Sequence, residues 1–584
     1  MNSTPTTVSG FVGFGARQLA NRIMHATSPG ISSISRSKCS GLGLSLASLI
    51  QGDASRAPGL YRGIFELGGC KTVLAGTSIF ELPDIRPPSF DLALHSFGWL
   101  HDLHAANTQL YRVFARGLVS EWLALKTYRS KAARDPKTVA SRIINWTQSA
   151  QFLLRGASKE FEVAFLESMT RQTRLLARNG INHFQPAIRL GSAIAMVYAT
   201  FGTTGLENLQ KSALHRLSQE LDQQILVDGG HVSRNGETLV DLLLLLLPVR
   251  DALQTAYIEL PAPINAAIER MFPMLRFLAH SDHGLAVFNG VSRTSPGAIK
   301  AILDRDEVCG KPLSHAPMSG YSKLVSGRTS ILMDTGNPAL PGHNIAVACS
   351  PLAFELCDGP HRIVVNCGNK PGADRNWLAA SRLTSAHSTM TVGCLDTSVI
   401  IDNTFTRHLF STPMLLGRGT VEAEVKTESL GGIISASHTC YTKAFGLVHQ
   451  RRLFLNNDGA DLRGEDSLVP EYADAAAQQQ TDFAIRFHLH PSVKANISRN
   501  GSSIMLVLPN KTGWQFSARG GLLSLEKSIY LPDSRSARPT NQIVISGVSG
   551  RPDRVLWAFK RMKKVTKKIS EPALIAPELP LNAG

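Results

Sequence analysis

The sequence predicts an α+β multidomain protein in which helices come first and antiparallel strands second. Three observations carry this reading. Between about residues 90 and 310, apolar side chains recur at three- and four-residue spacing. From Ser319 onward the apolar runs become short and are bounded by Gly, Asn, Asp and Pro. The richest apolar run, Leu239 to Leu247, is interrupted by Asp241 and closed by Pro248. It falls far short of the roughly 18 consecutive apolar residues of a membrane span, and reads as a buried helix segment.

In chain order, the periodicity predicts helices over 96–104, 108–128, 136–154, 160–179, 188–201, 206–226, 237–258 and 263–280. Short polar or Gly/Pro-containing breaks separate them. Antiparallel helices of this length build either a solenoid or a closed α/α toroid. The absence of a fixed-period repeat argues against a simple array. The pattern changes near Gly290. Strands are expected over runs such as 330–333, 362–366, 389–392, 432–438, 452–455, 483–489 and 503–508. Asn457-Asp458-Gly459 and Asn500-Gly501 supply hairpin turn signals. The sum is a large antiparallel sandwich with one face partly open.

The ends are distinctive. The first 52 residues contain no Asp or Glu, but hold Arg17, Arg22, Arg36 and Lys38. Ala16 to Met24 reads as a short amphipathic helix. No apolar core of secretory type is present, and the acid-poor, Ser-bearing start also resembles an organellar transit peptide. At the other end, Lys560, Arg561, Lys563, Lys564, Lys567 and Lys568 form a basic run. Such a run suits nucleic acid, anionic lipid or simply a solvated terminus, and it lacks the interleaved aromatics of single-strand readers.

Composition bounds the function. The 584 residues carry a net charge of +16, with 43% hydrophobic and 18% charged residues. That excludes disordered, collagen-like and coiled-coil classes. The charge favours an anionic partner: nucleic acid, a membrane surface or an acidic polysaccharide. None of the eight cysteines forms a C-x-x-C pair, so zinc-ribbon and thioredoxin-like motifs are unsupported.

Several segments together resemble the heparinase II/III family of polysaccharide lyases. The helical half carries Gln224-Ile225-Leu226-Val227-Asp228-Gly229-Gly230-His231-Val232-Ser233-Arg234, and the junction carries His280-Ser281-Asp282-His283-Gly284. The strand half carries Ser319-Gly320-Tyr321, Met333-Asp334-Thr335-Gly336, Leu352-Ala353-Phe354-Glu355-Leu356, Val364-Val365-Asn366-Cys367-Gly368 and Ala386-His387-Ser388-Thr389. His449-Gln450-Arg451-Arg452, Gly464-Glu465-Asp466 and Arg486-Phe487-His488-Leu489-His490-Pro491 follow. The resemblance spans about residues 60 to 560.

The resemblance implies an incomplete (α/α) toroid followed by an antiparallel β supersandwich. The expected domains are an acid-poor segment 1–60, a toroid 61–310, a sandwich 311–559 and a basic tail 560–584. It also implies β-elimination on a uronate-containing glycan. A base takes the proton α to the carboxylate, donors stabilise the enediolate, and an acid protonates the leaving oxygen. By resemblance His231, Arg234, Asn182 and His183 are the catalytic candidates and His387 a metal ligand; Tyr321, at the start of the sheet domain and able to supply a phenol, and Arg382 are the substrate-binding candidates.

The carry-over is incomplete. Where relatives place a catalytic Tyr this chain has Thr238, whose hydroxyl is far too weak an acid. The stretch that should carry the catalytic and zinc-binding His is Ile345-Ala346-Val347-Ala348-Cys349-Ser350-Pro351-Leu352, with His343 just upstream. The expected zinc-binding Asp is Asn366, which brings no charge to a metal. Zinc is therefore implied with an incomplete ligand set. The expected partner is an acidic polysaccharide, bound with or without elimination, at a cell envelope or periplasm. No signal peptide is evident, which leaves the cytoplasm open, and no nucleic-acid module is recognised.

Overall fold

The structure, a computed structural model, describes residues 37–562 apart from 50–51, 75, 77, 82–85, 126–129, 307–312, 340–342, 344–345, 371–374, 405–413, 418, 472–479, 534–535 and 551–553. The amphipathic helix expected over 16–24 and the basic run beyond Met562 lie outside the described residues. Lys560 and Arg561 close the last strand, Arg554–Arg561.

The described chain forms two compact units that are not contiguous in sequence. One contains residues up to 225 together with 240–269. The other contains 226–239 and everything from 270 onward.

The first unit is helical. Its principal helices are Pro88–Ser96, Leu100–Ala106, Gln109–Ala124, Pro136–Leu154, Lys159–Asn179, Pro186–Gly202 and Gln210–Gln224. The helix expected over 96–104 starts only at Leu100, because Phe97 adopts φ +61 and ends a preceding helix, Pro88–Ser96, that the periodicity did not predict. Pro136–Leu154 starts where the periodicity requires it. The Asp135 carboxylate accepts the Lys137 and Thr138 N–H groups at 3.0 and 3.1 Å, and Pro136 occupies the first turn. Phe97, Trp122, Trp146 and Phe165 form a core of edge and stacked ring pairs 5.0–5.6 Å apart. Pro248 does not end its helix: Gly236–Thr255 runs through it, at the loss of one backbone hydrogen bond.

The second unit is an antiparallel sandwich. One sheet has nine strands, in spatial order Leu522–Tyr530, Arg538–Val548, Asp482–Leu489, His361–Val365, Phe354–Asp358, Thr329–Asp334, Tyr321–Ser326 and His315–Ala316, with Met390–Val392 also paired to Asp482–Leu489. The other has eight: Val421–Glu428, Gly431–His438, Leu447–Asn456, Asp461–Pro470, Arg554–Arg561, Gly513–Arg519, Ser503–Val507 and Lys494–Ile497. Strand alternation turns Trp514 and Phe516 inward, where they share a core with Ile331, Phe354, Phe487, Leu453 and Trp557. The rings of Phe354 and Trp557 stack at 5.5 Å. Every strand expected from the sequence has its counterpart, with boundaries shifted by a few residues.

A buried polar chain crosses this core. The His438 Nδ1 accepts the Cys440 N–H at 3.2 Å, so its Nε2–H donates to His449 Nδ1 at 3.1 Å. The His449 Nε2–H then donates to Asp466 at 2.7 Å. The Asp466 carboxylate also takes a two-pronged Arg451 contact at 2.7 and 3.0 Å and the Trp557 indole N–H at 2.8 Å. Arg451, Asp466, His438 and His449 are wholly buried. They hold the sandwich together and are closed to substrate.

Candidate functional site

The segment from Leu226 to Leu239 docks on the sheet, and its motif residues explain how. Gly229 has φ +87, and a methyl there would meet the Arg270 carbonyl. Gly230 lacks a side chain because Ser319 fills that space. The Asp228 carboxylate accepts both the Ser319 N–H and its hydroxyl at 2.7 Å. Three residues beyond His231, Arg234 inserts its guanidinium between the two strand ends. It donates to the carbonyls of Ser319 (2.9 Å), Gly320 (2.8 Å) and Asn337 (2.8 Å), and it forms an ion pair with Asp334. Gly320 and Gly336 face one another there, and a methyl on either would run into the other's Cα. The Asp334 carboxylate is completed by the Ser350 hydroxyl at 2.9 Å.

Tyr321 belongs to the same lock. Its ring lies 4.9 Å from the Arg234 guanidinium carbon. Its hydroxyl donates to the Arg234 carbonyl at 2.6 Å and accepts from Asn289 at 2.8 Å. Burial pushes the phenol well above its usual range. The phenol is therefore neither accessible nor acidic enough to replace the Tyr that Thr238 displaces.

His231 is buried beside this lock. Its Nδ1 accepts the Ser233 N–H at 3.0 Å and contacts the Ser233 hydroxyl at 2.8 Å. Ser233 Oγ in turn lies 3.3 Å from Thr238 Oγ1. Burial, and secondarily the nearby charge of His343, lowers the imidazole to about 3. His231 is a neutral ring whose Nδ1 is already occupied as an acceptor, so that nitrogen cannot collect a substrate proton.

Arg382 and His387 are also interior. Arg382 is 1% exposed, with Nη1 3.8 Å from Asp402. The His387 Nδ1–H donates to the Leu383 carbonyl at 2.8 Å. Asn366 accepts the Ser388 N–H at 2.9 Å through its side-chain oxygen, fixing the backbone beside His387. Neighbouring His488 uses both nitrogens, on Ser528 (2.7 Å) and the Ser385 carbonyl (3.1 Å). Among the described residues, no three His, Cys, Asp or Glu side chains are grouped so as to hold a metal ion. Zinc does not fit these residues.

Asn182 and His183 lie in the helical unit, in the bend before helix Pro186–Gly202. A buried carboxylate positions this bend. Glu220 pairs with Arg189 at 2.9 Å and Arg216 at 3.5 Å. Arg189 donates to the His183 and Phe184 carbonyls at 3.3 Å, and Arg216 to the Ile181 carbonyl at 2.7 Å. The His183 Nδ1 accepts the Gln185 N–H at 3.1 Å. Replacing Glu220 with Gln leaves two guanidiniums facing each other without their carboxylate. We expect a loss of about 2 kcal/mol in urea unfolding, and faster hydrogen exchange at 181–185. Unchanged exchange there would remove Glu220 from this positioning role.

The helical unit also contains a cavity of about 300 Å³ lined by His101, His104, Asn107 and Gln148. His101, His104 and Gln148 sit on helices whose sequence signal is apolar periodicity, and Asn107 follows the first of these helices in the left-handed region, so spacing does not single them out. His101 Nε2 lies 2.9 Å from Asn145 Oδ1, and burial lowers the pKa of His104.

Residues 309–563 match the family model "Heparinase II/III-like, C-terminal". With the sandwich and the Asp228–Arg234 segment in place, the chain belongs to the heparinase II/III-like family. It is 32% identical over 473 residues to FtsZ-localized protein C of Caulobacter vibrioides (strain NA1000 / CB15N), spanning 79% of this chain and 80% of that protein. Among solved structures, heparinase III aligns with a TM-score of 0.68 at 13% identity, covering 92% of this chain and 93% of that one. A mutant of heparan sulfate lyase HepC from Pedobacter heparinus aligns at 0.60 and 13% identity, covering 96% and 91%. These likenesses establish the fold class: an incomplete α/α toroid followed by an antiparallel β supersandwich. Among the described residues no helix is long and apolar enough to cross a membrane.

Proposed function

We propose that this chain is a divergent heparinase II/III-like protein that binds an acidic polysaccharide at the cell envelope without cleaving it. The observation that carries this reading is the fate of the candidate catalytic groups. Arg234 is consumed by Asp334 and three backbone carbonyls. Tyr321 is consumed by the Arg234 carbonyl and Asn289. Thr238 stands where a phenol is needed, and its hydroxyl is far too weak an acid for that role. The +16 charge supports an anionic ligand. The name of the FtsZ-localized relative supports a place in an FtsZ-associated assembly rather than a degradative role.

Incubation with heparin, heparan sulfate, hyaluronan, alginate and polyglucuronate tests the proposal, following the ultraviolet absorbance of the unsaturated uronate that elimination produces. Binding to at least one polymer with no absorbance gain is expected. An absorbance gain would restore the lyase reading, and absence of binding to all five would remove the glycan. A pull-down with purified FtsZ tests the assembly directly, and no retention would discard that part.

A further inference from the structure

A second cavity, of about 620 Å³, lies in the helical unit, away from the Asn182–His183 bend in sequence. Its lining has an unusual charge balance. Lys38, Arg134, Arg142, Arg171, Arg174 and Arg178 contribute cations, and Glu167 alone contributes a carboxylate. The volume lies within the range of small-molecule sites.

The helix Lys159–Asn179 shows how the sequence builds this wall. Positions 167, 171, 174 and 178 recur at spacings of four, three and four, so they share one face. Like charges at such spacing oppose helix formation. The helix dipole favours a cation in the last turn, which accounts for Arg178. Arg171 and Arg174 stand further back on the same face, and Arg174 Nη2 donates to the Ser37 carbonyl at 2.9 Å, which leaves its charge without a carboxylate in that contact. The dipole does not account for Lys38 and Arg134, which arrive from other segments of the chain.

The buried wall of the cavity carries the argument further. Arg142 is 1% exposed, and its guanidinium donates to Gln172 Oε1 at 2.6 Å, the His95 carbonyl at 2.7 Å and the Ala133 carbonyl at 2.8 Å. It also lies 4.7 Å from the Trp122 ring. These acceptors orient the side chain but are neutral, so none of them offsets its charge in the cavity wall. A buried cation of this kind is costly unless an anion completes it. We propose that this cavity is an anion-binding site for a small ligand bearing two or more phosphate or sulfate groups. Planar guanidiniums grip tetrahedral oxyanions through paired N–H donors, and several are needed for a multiply charged ligand.

The test is calorimetric titration of the full-length chain with two probes, pyrophosphate for phosphate esters and sucrose octasulfate for sulfated sugars. Arg171 and Arg178 are exposed, so the double variant R171Q/R178Q is compatible with folding. The control, K494Q/R499Q, removes two exposed cations from the sandwich unit and so matches the change in net charge. We expect at least one probe to bind the unaltered chain. Its Kd should rise by roughly tenfold or more in R171Q/R178Q and stay unchanged in K494Q/R499Q. Which probe binds identifies the phosphate or the sulfate class. Binding of neither probe, or an equal weakening in both variants, overturns the proposal.

Discussion

Acidification from pH 7.5 to pH 5 is expected to unfold the sandwich unit before the helical unit. The cause is a set of buried imidazoles held neutral. Burial lowers His231 and His488 to about 3 and His490 to about 4, and lowers His280, His387, His438 and His449 as well. In several of these rings one nitrogen accepts a hydrogen bond that protonation would destroy. His438 Nδ1 accepts from Cys440, His231 Nδ1 from Ser233 and His490 Nδ1 from Ser492.

An unfolded His titrates near 6.5. Below that pH the unfolded chain binds protons that the folded chain refuses, so stability falls as pH falls. Each such group costs about 1.4 kcal/mol per pH unit below roughly 6.5. At pH 5 His231, His488 and His490 together remove about 6 kcal/mol, which rivals the whole stability of a typical domain. Glu237 acts in the opposite direction, because burial raises its pKa. The helical unit has two such lowered rings among its described residues, His95, lowered by burial to about 4, and His104, against seven in the sandwich unit. Hydrogen exchange read by peptide as a function of pH gives the answer. Protection lost over 320–560 while 136–224 stays protected is the expected pattern. A sandwich still protected at pH 4.5 would contradict it.

How much of this was legible depends on range. Helices and inward-facing strands follow from spacing within a few residues, so the two halves and most elements could be read directly. Val421–Glu428 was not among the expected strands. Glu422, Glu424 and Lys426 occupy its outward positions, and such residues score poorly as strand formers. At the edge of the eight-stranded sheet those charges are what block further pairing.

The candidate site was harder for a different reason. The Asp228–Arg234 motif is conspicuous, but spacing cannot reveal that Arg234 meets Asp334 one hundred residues later. A motif rich in His, Arg and Gly reads as chemistry when its partners are unknown. With partners assigned, the same residues read as a fastening between a loop and a sheet. The missing Tyr at Thr238 was visible in the sequence alone, and it pointed the same way.

The fastening itself yields the most discriminating variant. Arg234→Met keeps much of the side-chain volume but leaves the Asp334 carboxylate buried without its cation. It also strips donors from the Ser319, Gly320 and Asn337 carbonyls. Removing one partner of a buried pair costs about 3–5 kcal/mol. The midpoint of urea unfolding followed through Trp514 and Trp557 fluorescence should therefore drop sharply. Arg234→Met combined with Asp334→Asn should recover part of the loss, because the stranded charge is gone. If Arg234 were instead a substrate-facing residue, Arg234→Met would leave the midpoint in place and weaken only glycan binding. Partial rescue by the double variant is a result that a substrate-binding role does not produce. It would tie the family motif in this chain to the assembly of the sheet rather than to the cleavage of a polymer.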